Sequence, residues 1–159
     1  MYYMFLTVHA AAGVIVGIQT GNPIIAFFAG LVSHFILDMI PHGDQDLVEG
    51  NETFSNKEKK LLHKVGNIDT IIMLAELAVL YSTGLMPLTF SVAAALVGAL
   101  LPDFLNALYI LYDVKILHRY FCFQRDIHYM WKGFTINLKQ GLVVQSIFLA
   151  GFLYVLIRL

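Results

Sequence analysis

The sequence predicts an all-α fold, a polytopic transmembrane helical bundle of about five spanning helices plus one interfacial helix, built as one integral-membrane domain over residues 1–159. Three observations predict it. Hydrophobic residues make up 58% of the chain against 13% charged, where soluble domains carry about 25% charged residues. Mean hydropathy is +0.73. Apolar stretches close to the ~20 residues that cross a bilayer alternate with two short turns and two longer charged connections.

The first span runs from about Met4 to Gln19 and is closed by Thr20-Gly21-Asn22-Pro23, with Pro23 suited to the first turn of the next helix. The second runs from Pro23 to about Ile40. A polar region from His42 to Lys64 follows, mixing Asp44, Asp46, Glu49, Glu52 and Glu58 with four lysines, and reads as a surface loop leading into a helix. The third span covers roughly Lys60 to Tyr81. Ser82-Thr83-Gly84-Leu85-Met86-Pro87 forms a second apolar turn, and the fourth span runs from Pro87 to about Tyr112, with Pro102 expected to kink it. The segment from Asp113 to Lys139 sets charges among aromatics and reads as a helix lying along the bilayer surface. The last span, about Leu138 to Leu159, reads as an anchor.

A net charge of −1 excludes a general nucleic-acid binder, which needs a basic face to displace counterions. The single Cys122 cannot form an internal disulfide. The N-terminus lacks a basic segment and a small-residue cleavage site, so the first apolar stretch is expected to stay in the mature protein. Nine of the ten Lys and Arg residues fall in the two long connections. Both connections are therefore expected to face the cytoplasm, with the N-terminus inside and the C-terminus outside.

Against this background Ser33 to Asp44 stands out, because it carries the spacing H-x3-D-x3-H in His34, Asp38 and His42 at the end of an apolar helix. An ionisable group inside a span costs roughly 2.5–3.5 kcal/mol on insertion scales, so such a pair reads as a functional site. At ~1.5 Å per residue, His9 lies ~8 Å from the cytoplasmic start of its span, His34 and Asp38 within ~10 Å of the cytoplasmic end of theirs, and Asp103 ~14 Å from the end of the fourth. Asp69 enters from the same side. Four helices thus present a His or Asp at similar depth, which is how metal sites are built in bundle cores.

His34 and Asp38, one turn apart, can share an ion, and His42 can swing toward it. Mixed His and carboxylate ligation suits Zn²⁺, with Mn²⁺ or Fe²⁺ as alternatives. A water activated by that cation would be a nucleophile at the membrane surface, within reach of lipid head groups. The two hairpins also share a pattern, with Asp38 fifteen residues after Pro23 and Asp103 sixteen after Pro87. A duplication would put the site on a pseudo-symmetry axis.

The set Thr7-Val8-His9 with Gly13, then Ser33-His34 to Asp38 with Pro41-His42, then Leu101-Pro102-Asp103, resembles the YdjM-like family of small membrane-bound metal-dependent hydrolases. The segment with His34 and Asp38 also resembles the H-x3-D ligand pair of zinc-dependent phospholipase C and the S1/P1-type nucleases, soluble enzymes that hydrolyse phosphoesters. This resemblance implies His34 and Asp38 as metal ligands, His9 and Asp103 as further ligands, and a phosphoesterase activity in a bacterial or archaeal cell membrane. The chain departs from those soluble enzymes in being short and lipid-buried, with no match for their N-terminal amine ligand or full histidine set.

Two functional classes follow. The first is a hydrolase of a membrane-lipid phosphoester or ester, with His9, His34, Asp38 and Asp103 holding metal, Asp69 or His42 as general base, and His128 donating to a phosphate or leaving group. The second is a non-catalytic membrane protein, in which the same residues conduct ions or protons or fix helix packing. In the second, His34 and Asp38 are a packing pair, His9 packs near Gly13 and Gly17, Asp103 serves the kink or pairs with Lys115, Asp69 and Glu76 form a polar seam, and His128 anchors a head group. Asp44, Asp46, His63 and His118 read as solvated. The absence of ionisable residues around Gly21 and Leu85 favours a one-sided site. Membrane lipids are the expected partners, and the small-residue face at Gly13 and Gly17 serves packing within the chain or between copies of it.

Overall fold

The computed structural model describes residues 4–43, 54–128, 130 and 136–159. All regular structure among them is helical: α1 (Leu6–Thr20), α2 (Pro23–Asp38), α3 (Asn56–Ser82), α4 (Phe90–Tyr112), a 3₁₀ turn (Lys115–Leu117), α5 (His118–His128) and α6 (Leu138–Arg158). Three of these, α3, α4 and α6, are long and apolar enough to cross a membrane. The apolar α1 and α2 have 15 and 16 residues, or ~22–24 Å at 1.5 Å per residue, short of a ~30 Å hydrocarbon core. The expected loop bearing Asp44, Asp46, Glu49 and Glu52 lies outside the described residues.

Local chemistry sets the helix ends. Asn22 accepts from the Ile24 and Ile25 N–H groups, and Pro23 opens α2. Ser55 and Glu58 form a capping box that starts α3 at Asn56, earlier than the apolar pattern alone suggests. Thr89 caps α4, so that helix begins at Phe90, and Pro87 lies in the preceding turn. Helix α1 has no cap of its own; Asp69 of α3 accepts the Leu6 N–H at 2.8 Å.

Helix α4 is the centre of the bundle, and small residues let its neighbours approach. A Cβ at Gly98 would stand 2.1 Å from the Phe27 carbonyl oxygen, and one at Gly17 would stand 2.5 Å from Val92 Cα. The Gly13/Gly17 face is therefore filled by α4 of the same chain and is not a surface for a second copy. Helix α6 packs on α1, and its Phe148, Leu149 and Phe152 join the apolar cluster of Met4, Val8, Ala12 and Leu37. Helix α3 is tied at its middle to α1 by Asp69 and near its two ends by apolar contacts. Near one, Leu62 joins Ile110 and Phe121, and near the other Leu80 joins Val14, Val92 and Leu156.

Candidate metal centre

The spacing of α2 puts His34 and Asp38 on one face, and both are buried. The chain then turns at Ile40 to Gly43, where Gly43 takes φ +76°, and His42 returns toward Asp38. Gly141 makes room for that return, since a Cβ there would collide with the His42 carbonyl, and Gln145 donates to the same carbonyl at 3.1 Å. From α1, His9 is fully buried and stacks on the His34 ring with centroids 4.2 Å apart. Asp103 comes from α4, one residue after Pro102. Helix α5 folds over the group, with Gln124 fully buried and the His128 side chain 4% exposed.

These side chains form two clusters whose ligand atoms lie within 4.8 Å of one another: His9, His34 and Asp103, and Asp38, His42 and His128. Asp38 joins them. Its Oδ1 lies 3.2 Å from His9 Nε2, and its Oδ2 lies 2.9 Å from His34 Nε2 and 3.2 Å from His128 Nε2. Asp103 Oδ2 is 3.9 Å from His9 Nε2.

His34 Nδ1 donates to the Ala99 carbonyl at 2.8 Å, and His42 Nδ1 to the Ile40 carbonyl at 2.6 Å. A neutral imidazole has one N–H, so in both rings Nε2 is left as a lone pair facing the cluster. His34 Nε2 and Asp38 Oδ2, 2.9 Å apart, are then joined either by a proton on Nε2, as an imidazolium–carboxylate pair, or by a metal ion held between them. His9 Nδ1 and both Asp103 oxygens are buried without a hydrogen-bond partner, a costly state that a bound ion would relieve, while His9 Nε2 and Asp38 Oδ1 face each other at 3.2 Å. Ligand histidines commonly donate their second nitrogen to a carbonyl, as His34 and His42 do. The two clusters therefore have the donor set and geometry to hold a metal ion.

Of the sequence-predicted residues, the structure brings together His9, His34, Asp38, Asp103, His42 and His128, and it divides the four expected ligands between two clusters. Asp69 is in neither cluster; it holds the start of α1 and lines a cleft beside Asp103. Glu76, seven residues on, has both oxygens buried without a hydrogen-bond partner. Sequence reasoning missed Gln124, which donates toward His34 Nε2 at 3.2 Å and Asp38 Oδ2 at 3.3 Å, and Tyr120, whose hydroxyl donates to Gln124 at 2.8 Å. The available signal was the i, i+4 spacing of Tyr120, Gln124 and His128. Burial and the Asp103 and Asp38 carboxylates push the Tyr120 phenol above its usual range, so it remains a donor. The helix expected to lie along the bilayer surface covers the centre.

No protein family, curated protein or solved structure matches the chain. What fold and site define is an all-helical protein with membrane-length apolar helices and a buried His/Asp centre.

Proposed function

We propose that this protein is a membrane-embedded, metal-dependent hydrolase acting on a phosphoester or other ester of a membrane lipid at the cytoplasmic face. In this reading α1, α2, α3, α4 and α6 are five spans and α5 lies at the interface. The N-terminus is cytoplasmic and the C-terminus outside, in a bacterial or archaeal cell membrane. Exposed Ile24, Ile25, Phe28, Val32 and Ile36 support the contact of α2 with lipid. The similarity of the His9, His34/Asp38/His42 and Asp103 motifs to YdjM-like proteins supports the same assignment.

The observation that carries the reading is the crowding of acceptors around Asp38. His9, His34 and Asp103 would hold one cation, with Zn²⁺ the best match and Mn²⁺ or Fe²⁺ alternatives. When bound, a divalent cation supplies Lewis-acid activation of water and of a phosphoryl oxygen. Asp38, His42 and His128 either hold a second cation or leave the two imidazoles to move protons, His42 as base and His128 toward the leaving oxygen. Asp69, near Asp103 on the cleft wall, is a further base. A non-catalytic reading, conduction or packing, draws on Glu76, whose buried carboxylate extends the line from Asp69 along α3.

Metal content of detergent-purified protein, by inductively coupled plasma mass spectrometry, tests the proposal. Wild type is expected to carry at least one Zn²⁺ or Mn²⁺ per chain, lost in Asp38→Ala and His34→Ala. A folded wild type that takes up neither ion when both are offered sinks the hydrolase and leaves the non-catalytic reading.

A further inference from the structure

Helix α3 is tied to α1 through Asp69 but stands off from α4 between Leu62 and Met73, and the gap is a cleft of about 300 Å³ with Leu6 of α1 also on its lining. Leu62 and Met73 of α3 and Leu100, Phe104 and Leu111 of α4 line it, with Asp69 and Asp103 on its walls. The lining runs over twelve residues of each helix, 62–73 and 100–111, or ~16 Å between end residues at 1.5 Å per step. The cleft is thus mostly apolar, lies between two membrane-length helices, and reaches a carboxylate of the metal cluster.

We propose that this cleft seats one acyl chain of a membrane phospholipid, holding the chain beside Phe104 with Asp103 of the metal cluster on the wall of the seat. The inference rests on the hydrolase reading and adds to it the side from which the substrate arrives, laterally from the bilayer between α3 and α4. A helix of another copy is the wrong size, being ~10 Å across where the cleft offers about 300 Å³ spread along its length. A single extended chain fits. Gly66 keeps the cleft open: a Cβ there meets nothing within 4 Å. Phe104, 61% exposed, marks the mouth, while Met73, 7% exposed, lies inside.

The test places the full chain in phosphatidylethanolamine and phosphatidylglycerol vesicles doped with a phosphatidylglycerol bearing a diazirine midway along one acyl chain. After irradiation, labelled residues are mapped by tandem mass spectrometry. Label is expected on Met73 and Leu100 as well as Phe104. Filling the cleft by Gly66→Leu, or separately by Ala107→Leu, cuts Met73 and Leu100 labelling about tenfold, the loss expected when roughly two methylenes are denied burial. Labelling of Phe28, an exposed α2 residue, stays constant. Label confined to Phe104 and other exposed positions in wild type means ordinary bilayer lipid at the mouth and overturns the inference, whatever the variants do. Undiminished Met73 and Leu100 labelling in both folded variants overturns it too. The measurement is repeated on chelator-stripped protein. Cleft labelling that persists there, in a chain that takes up no metal, removes the hydrolase and leaves the lipid seat standing; absent labelling in a metal-loaded chain removes only the seat.

Discussion

The Gln124 side-chain nitrogen lies 3.3 Å from Asp38 Oδ2, tying α5 to the end of α2. Its carbonyl oxygen accepts the Tyr120 hydroxyl at 2.8 Å, which fixes which end of the amide faces the carboxylate. Gln124 therefore orients Asp38 without being one of the clustered His/Asp ligands. Gln124→Leu is expected to weaken metal affinity by about 10–100-fold, the usual cost of losing a partner that orients a ligand. Tyr120→Phe, which only frees the amide to rotate, has a smaller effect. Competition with a chromophoric chelator measures both, and an unchanged affinity in Gln124→Leu would remove Gln124 from the site.

Metal retention should depend on pH with a definite sign. Imidazoles bind metal only when neutral, so binding releases protons and affinity rises with pH. Retention therefore falls as pH is lowered, by up to about tenfold per unit for each histidine that must give up a proton to bind. Tyr120 adds no change on the alkaline side below its ordinary range, because burial and the nearby carboxylates hold its proton. Zinc retained after dialysis across about pH 5 to 8 reads this directly. A flat profile would mean that carboxylates alone hold the ion.

Much of this was legible in the chain. Asn22-Pro23 marks the start of α2 because its side chain and ring chemistry act locally, and the price of ionisable groups among apolar residues singles out His9, His34, Asp38 and Asp103. The i, i+4 spacing gives the His34/Asp38 pair outright. What was not legible depends on tertiary approach. Nothing in the local pattern says that α5 folds back so that His128 and Gln124 meet Asp38, ninety and eighty-six positions away from His34 and Asp38 in the sequence for Gln124. Nor does it say that Asp69 is drawn to the N-terminus of α1. The Gly13/Gly17 stripe was visible, but its partner, α4, was not.

At the other end of α4, Asp113 takes the left-handed conformation at φ 54°, ψ 39°, and both its oxygens lie 2.7 Å from Lys59 Nζ. Two effects oppose each other in Asp113→Gly. Relief of the left-handed backbone favours glycine by about 1 kcal/mol, while loss of a solvent-exposed pair costs about 0–1 kcal/mol. The variant is expected to be neutral or slightly more stable in detergent thermal unfolding. Lys59→Ala, which loses only the pair, falls by no more than ~1 kcal/mol, and high salt removes the difference. A larger loss would show that the pair is needed to hold α3 in place.

The same substitution, glycine to alanine, should have opposite outcomes on α3 and α4. At Gly66 the new methyl meets nothing within 4 Å, so only the backbone preference for alanine counts, and Gly66→Ala gains about 1 kcal/mol. At Gly98 the methyl would stand 2.1 Å from the Phe27 carbonyl oxygen and 3.0 Å from the Leu31 nitrogen. Both are backbone atoms of α2, and neither can swing aside. The two helices must separate, which costs about 3 kcal/mol or more and moves the Ala99 carbonyl away from His34 and Asp103 away from His9. Gly98→Ala should therefore lose metal along with stability, and Gly66→Ala should keep its metal and melt higher. Parallel thermal unfolding and metal analysis decide the point: a Gly98→Ala protein with wild-type melting and full metal would show that the α2–α4 crossing does not set the centre's geometry.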